Sequence, residues 1–244
     1  MSNAYYDPGD QRAERVNALF SRIASRYDFI NDLQSLGLHR LWKRRVVELA
    51  CPLPGERALD LCCGTGDITF AMARRGADVV GLDFNESMLS IAARRAKDFK
   101  TAPSVRGPEF IRGDALQLPF PDHSFDVVTV GYGLRNLAAW EMGLREMIRV
   151  AKPGGRLVIL DFGKPANPVW RAIYFTYLRL CVPVFGWIFC RDAAAYAYIL
   201  ESLHSFPAQR GIDQKLRELG CHSTRLLEPL GGVMGLNTGI SPLK

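Results

Sequence analysis

Between residues 57 and 162 one pattern repeats: a short apolar run, a turn, then an amphipathic stretch. This alternation narrows the possible architectures severely. Runs that are apolar throughout need cover on both faces, and the amphipathic stretches between them can supply it. The spacing predicts strands over Arg57–Cys63, Asp78–Asp83, Glu109–Arg112, Phe125–Val130 and Arg156–Phe162. Helices are predicted over Asp67–Arg75, Ser87–Phe99 and Ala138–Ala151, and Lys152-Pro153-Gly154-Gly155 reads as a turn before the fifth strand. After a helix at Gln209–Leu219, two more strands are predicted over Ser223–Leu227 and Gly232–Leu236. Two consecutive strands form a hairpin, so at least one runs antiparallel. The expected fold is α/β: a doubly wound, mostly parallel, seven-stranded sheet with an antiparallel C-terminal strand.

The remaining segments are helical. Residues 10–50 carry Val16, Leu19, Phe20, Ile23 and Tyr27 at helical spacing, and then Leu38, Leu41, Trp42, Val46 and Leu49. Residues 165–205 are bulky and aromatic. Residues 1–244 are read as a single domain, with 10–50 as an N-terminal helical cap and 165–205 as a helical insertion over the active site.

Hydrophobic residues make up 48% and charged residues 23%, which excludes a disordered chain or a coiled coil. The net charge of +6 comes without a basic stripe interleaved with stacking aromatics, so no nucleic-acid partner is expected. Six cysteines include no Cys-x-x-Cys pair. No disulfide framework and no metal site are expected, and a reducing cytosol is the natural compartment. The N-terminus does not read as a signal peptide. The most apolar stretch, Leu180–Cys190, is far short of the roughly 20 residues that span a bilayer and contains Pro183 and Gly186.

Leu59-Asp60-Leu61-Cys62-Cys63-Gly64-Thr65-Gly66-Asp67 follows the first strand. Glycines there let a ligand approach the backbone, and the next helix presents unpaired N–H groups. A dinucleotide fingerprint would need a third glycine where Thr69 stands, and the P-loop lysine is absent. Asp60, Asp83 and Asp114 fall at the carboxyl ends of three successive strands. A carboxylate ending the second strand can accept both hydroxyls of a ribose. Three carboxylates around one cleft repel a pyrophosphate and suit a ligand with a ribose and positive charge. S-adenosylmethionine has both and no phosphate.

These motifs resemble those of class I S-adenosylmethionine-dependent methyltransferases. Over residues 16–239 the chain is similar to a narrower group, the ubiquinone/menaquinone biosynthesis C-methyltransferase family. Four stretches carry that likeness. The first is Phe20, Ile23, Ala24, Tyr27, Asp28 and Asn31, continuing through Ser35, Gly37, His39, Arg40, Trp42 and Lys43. The others are Leu118–Asp126, Gly133-Leu134-Arg135-Asn136 and Tyr196–Pro207. The resemblance implies cofactor contacts at Thr65, Asp83, Asp114 and Ala115, joined in the expected binding set by Asp60, Gly64, Gly66 and Gly131. The chain departs from the family at Gly131, where serine is common, and at Asn237, where histidine is common.

The resemblance also implies C-methylation of a prenylated quinol, with demethylmenaquinol as the first expectation. A benzoquinol of the ubiquinone pathway or a phylloquinol precursor stands beside it. A ring carbon becomes nucleophilic when a quinol hydroxyl loses its proton. The site must therefore align the ring, take up a proton and hold an oxyanion. Arg135 is expected to hold that oxyanion and Asn136 the second ring oxygen. Tyr27, Asp28, Asn31 and His39 are candidate bases. The tail of such a substrate lies in a bilayer, so peripheral binding to the inner face of the cytoplasmic membrane is expected. Trp187, Ile188 and Phe189 would enter it, aided by the basic run at 39–45 with Arg179 and Arg191. A homodimer is compatible with the sequence. Two other readings compete: methylation of a sterol or polyketide phenol, and a catalytically silent scaffold subunit of a quinone-pathway complex.

Overall fold

The structure is a computed structural model, described for residues 11–24, 27–35, 37–100, 106–190 and 194–243. Side chains at 30, 34, 185–190 and 194–197 lie outside that description. The order is α1 (Arg12–Ile23), α2 (Tyr27–Gln34), α3 (Leu38–Ala50), β1 (Arg57–Leu61), α4 (Asp67–Ala73), β2 (Asp78–Asp83), α5 (Glu86–Lys97), β3 (Glu109–Arg112) and β4 (Phe125–Gly131). Then come a 3₁₀ turn (Leu134–Asn136), α6 (Trp140–Val150), β5 (Ala151–Phe162), α7 (Pro168–Cys190), α8 (Ala194–Ser205), α9 (Ala208–Glu218), β6 (His222–Leu227) and β7 (Met234–Ile240).

The strands form one seven-stranded sheet in the order β3-β2-β1-β4-β5-β7-β6. Pairings from β3 through β5 are parallel, and β7 lies antiparallel between β5 and β6. Both faces are buried, as the apolar runs require. Leu59, Leu61, Val80, Leu82, Val128, Val130, Leu157 and Ile159 face a core shared with α6, α8 and α9. Alternate residues Ala58, Val79, Val127, Val158 and Leu160 face a second core with α3 and α4. This is the period of two that side chains follow along a strand.

Three local expectations are corrected. Lys152–Gly155 is not a turn before β5 but an irregular part of it. The ladder shifts register between Phe125 and Val127, and Gly154 takes φ +76°. The last strand starts at Met234, because residues 229–232 form a kinked turn with Leu230, Gly231 and Gly232 all at positive φ. The C-terminal half of α3 does not lie over the cleft. Val46, Val47 and Ala50 pack on the sheet, so among the described residues of the N-terminal helices it is α1, α2 and the start of α3 that line the cavities at the strand ends.

Candidate active site

The carboxyl end of β1 runs into a loop in which Cys62, Gly64 and Gly66 all take positive φ. Gly66 also needs to be small, since a Cβ there would sit 2.9 Å from the rings of Phe110 and Phe70. A Cβ on Gly64 would meet nothing within 4 Å, so the loop turns an open face outward at that point. Asp83 ends β2 and clamps the loop. Its Oδ2 accepts the Gly64 N–H at 2.8 Å, and its Oδ1 accepts the Asn85 N–H at 2.8 Å. Each oxygen keeps capacity for another donor. Burial pushes the Asp83 carboxyl above its usual range, against these backbone hydrogen bonds.

Gly64, Asp83, Asp114, Ala115 and Gly131 all line one cavity of about 170 Å³ at these strand ends. Asn136 lines it as well, although the sequence reading placed it beside the acceptor ring. Thr65 and Asp60 do not reach this cavity. They border a smaller one under the loop, with Lys43 and Asp67. The Thr65 hydroxyl donates to Asp28 at 3.0 Å and ties the loop to α2. Asp60 lies on the face that packs against α4. It accepts from Thr69 at 2.6 Å and Thr129 at 2.8 Å, and burial raises it to about 6. Gly66 starts α4 and packs against rings. Burial would raise Asp67, but Lys43 at 2.8 Å and Arg95 at 2.7 Å outweigh it and hold the carboxyl far below its usual range.

A second cavity of about 110 Å³ adjoins the first. Phe20, Tyr27 and Tyr132 line both and form the wall between them. The second cavity is aromatic and also takes in Trp42, Phe162, Tyr174 and Tyr198. No carboxylate is among its described lining residues, and His39 is the one imidazole.

Local hydrogen bonds settle the form of His39. Ser35 Oγ donates its single proton to the Asn31 carbonyl at 2.6 Å and accepts the His39 backbone N–H at 3.2 Å. The His39 Nδ1, 2.9 Å away, must therefore be the donor in that contact. Asp32, 3.7 Å from Nδ1, favours the same tautomer. The lone pair is then on Nε2. Burial, with Lys43 nearby, lowers His39 to about 4, so the ring is neutral at pH 7.

Arg135 is fully buried in this second site. Its guanidinium donates to Asp161 at 2.9 Å, to the Tyr132 carbonyl at 2.7 Å and to the Tyr198 hydroxyl at 3.0 Å. Its backbone N–H also donates to Asp161, and its ring neighbours are Phe162 and Tyr198. Burial opposes its charge, yet Tyr198 and Asp161 keep its pKa above the ordinary arginine value. Four buried polar atoms around the two cavities have no partner among the described residues: Arg135 Nε, Asn136 Oδ1, Tyr132 Oη and Tyr174 Oη. Burial raises the phenols of Tyr27, Tyr132, Tyr174 and Tyr198, so they remain hydrogen-bond donors.

Sequence reasoning assigns no role to Tyr132, Asp161 or Tyr198, and places Tyr174 in an aromatic set read as a membrane interface or tail channel. For Tyr132 the available signal was adjacency to Gly133–Asn136. Tyr198 falls within the Tyr196–Pro207 resemblance.

The larger cavity fits S-adenosylmethionine. A carboxylate at the end of β2 faces it, Gly64 opens onto it, and its described lining residues include no lysine, arginine or histidine to attract a phosphate. The profile of the ubiE/COQ5 methyltransferase family matches residues 9–241. The chain is 41% identical over 242 residues to the ubiquinone/menaquinone biosynthesis C-methyltransferase UbiE of Ectopseudomonas mendocina (strain ymp), covering 96% of this chain and 92% of that protein. It is 39% identical over 238 residues to the protein of the same name from Azotobacter vinelandii, covering 96% and 93%. Among solved structures it resembles a SAM dependent methyltransferase from Aquifex aeolicus, with TM-score 0.61 at 17% identity over 88% of this chain and 97% of that one. It also resembles the [4+2]-cyclase SpnF, with TM-score 0.63 at 17% identity over 95% and 96%. One of these two is a cyclase, so likeness at this level carries the fold alone. The fold is that of the class I methyltransferases, S-adenosylmethionine is the methyl donor that fold and family imply, and the chain belongs to the ubiE/COQ5 methyltransferase family.

Proposed function

We propose that the protein methylates a ring carbon of a prenylated quinol in quinone biosynthesis, with demethylmenaquinol as the first acceptor to assay and a benzoquinol as the second. One observation carries this reading: an aromatic cavity without a carboxylate shares a wall with the donor cavity. Its faces of Phe20, Trp42 and Phe162 suit a flat apolar ring. S-adenosylmethionine, when bound, supplies an electrophilic methyl on sulfur.

The chain's residues then have divided tasks. His39 Nε2 accepts the proton of a quinol hydroxyl, since the phenols around it stay protonated. Its low basicity makes it a relay for that proton, not its final holder. Arg135 puts a buried positive charge beside the developing oxyanion and has an unpartnered Nε–H to offer it. Tyr27 acts as a donor. Asn136 lines the donor cavity and also reaches Tyr198 of the ring cavity.

The test is methylation with labelled donor and either reduced or oxidised prenyl-naphthoquinone. Only the quinol should react, because only it forms an oxyanion that feeds the ring carbon. His39 stays neutral down to about 4, so kcat should show no acidic limb near 6.5. Equal rates on the oxidised quinone, or no turnover of any prenylated quinol, would sink the proposal.

We also place the substrate's route at the membrane. On α7 the side chains of Tyr174, Tyr177, Leu178 and Val182 line the aromatic cavity, while Val169, Ile173, Leu180 and Val184 form an exposed stripe. Arg171 and Arg179 are exposed on the same helix. One helix thus has one side at the ring site and another open to an apolar phase. Trp187, Ile188 and Phe189, the residues first considered for this contact, have side chains outside the described set. His39 and Lys43 are not available to lipid, being respectively buried and paired with Asp67. Among the described residues no helix is long and apolar enough to cross a membrane. The protein should float with anionic vesicles, less so in high salt, and Ile173→Asn/Leu180→Asn should abolish flotation. Unchanged flotation of that variant would remove α7 from the contact.

A further inference from the structure

We infer that Tyr132 donates a hydrogen bond to the ring oxygen next to the carbon that is methylated, and so sets the acceptor against the methyl donor. The inference rests on the quinol reading above and adds a residue that no motif named.

Tyr132 is held where a tyrosine is uncomfortable. Its φ is +62°, a left-handed conformation that bulky residues rarely adopt. Such strain persists only where the surroundings over-determine it, and it clusters at functional sites. Here the surroundings are explicit. The Tyr132 N–H donates to the Leu160 carbonyl at 2.7 Å. The Tyr132 carbonyl accepts from Arg135 at 2.7 Å and from the Asn136 amide at 3.1 Å. Glycine stands on both sides. A Cβ at 133 would come within 2.3 Å of Cys62, and one at 131 within 2.6 Å of Ile68. Phe162 packs on the ring, with centroids 5.5 Å apart.

All this constraint delivers a phenol to a place where it bonds to no described residue. The hydroxyl is buried and lacks a partner among the described residues, which is unfavourable for the free protein. Yet the side chain lines both cavities, at the wall the methyl group must cross. A ring oxygen beside the reacting carbon satisfies that donor. Burial keeps the phenol protonated, so it can donate as negative charge grows on the oxygen. The buried Arg135 charge lies on the same cavity and favours the same ionised acceptor.

Tyr132→Phe keeps the ring and the backbone and removes only the hydroxyl. Three measurements are made on wild type and variant with prenyl-naphthoquinol. At pH 7, kcat of the variant should fall ten- to a hundredfold, while affinity for S-adenosylmethionine stays within threefold. The deficit should shrink at alkaline pH, where the acceptor ionises without help. The melting temperature should stay level or rise, because an unsatisfied buried hydroxyl has gone. A kcat within twofold of wild type at pH 7 overturns the inference. So does a loss that is uniform across pH and accompanied by a lower melting temperature, which marks a packing role. Absence of wild-type turnover on any prenylated quinol instead overturns the quinol reading, and the inference with it.

Discussion

Replacing Arg135 by alanine is expected to lower unfolding stability by about 3–5 kcal/mol, read from denaturant midpoints at constant slope. The substitution strands Asp161, which is 2% exposed and has Arg135 as its one ion-pair partner among the described residues. It also removes one of the two side-chain donors to the Tyr132 carbonyl and a donor to the Tyr198 hydroxyl. The sequence reading gives Arg135 the task of holding the substrate's oxyanion. The structure makes Arg135 a support of the site as well as a charge within it. Adding Asp161→Asn should recover part of the loss, because a neutral amide leaves no uncompensated buried charge. A destabilisation below about 1 kcal/mol in Arg135→Ala would show that the ion pair is not a structural support.

For Asp83→Ala the expected effect is on the methyl donor. S-adenosylmethionine binding should weaken by about 2–4 kcal/mol, since charge-assisted hydrogen bonds contribute about 1.5–3 kcal/mol each and do not add fully. Two causes combine. The ribose loses its acceptor, and the loop loses the 2.8 Å anchor on Gly64 that holds its open face toward the ligand. Asp83→Asn should fall between the two, because its amide keeps one acceptor oxygen and replaces the other with a donor. Titration calorimetry measures all three proteins. Affinity of Asp83→Ala within threefold of wild type would refute the assignment.

The donor half of the site was legible from the sequence for a local reason. Strand ends, the turn after β1 and the start of α4 are adjacent in the chain. The residues that combine there, Gly64, Asp83, Asp114 and Ala115, lie at the carboxyl ends of parallel neighbours in the sheet, so periodicity alone brings them together. Asp60 and Thr65 share that neighbourhood but not its cavity. Asp60 sits inside the ladder, level with Gly81 and short of the strand ends, and its carboxylate is already taken by Thr69 and Thr129.

The acceptor half was not legible in the same way. Arg135 and Asn136 are consecutive, and sequence reasoning gave both to the acceptor. In a 3₁₀ turn, successive side chains point about 120° apart. Arg135 therefore faces the aromatic cavity, while Asn136 reaches the donor cavity. Nothing in their order decides which way each turns.

Apolar alternation, glycine placement and strand-end carboxylates thus determined the layered sheet and the glycine-rich loop after β1, because those features are set by neighbours within a few residues. Tertiary structure decided the rest. It inserted β7 antiparallel between β5 and β6, a pairing that depends on where a long helical excursion returns. It joined Arg135 to Asp161 across 26 residues and to Tyr198 across 63. It also fixed Tyr132 in a strained conformation that no local preference would choose. Those contacts form only when separate elements pack together, and a buried charge or phenol takes its meaning from what surrounds it.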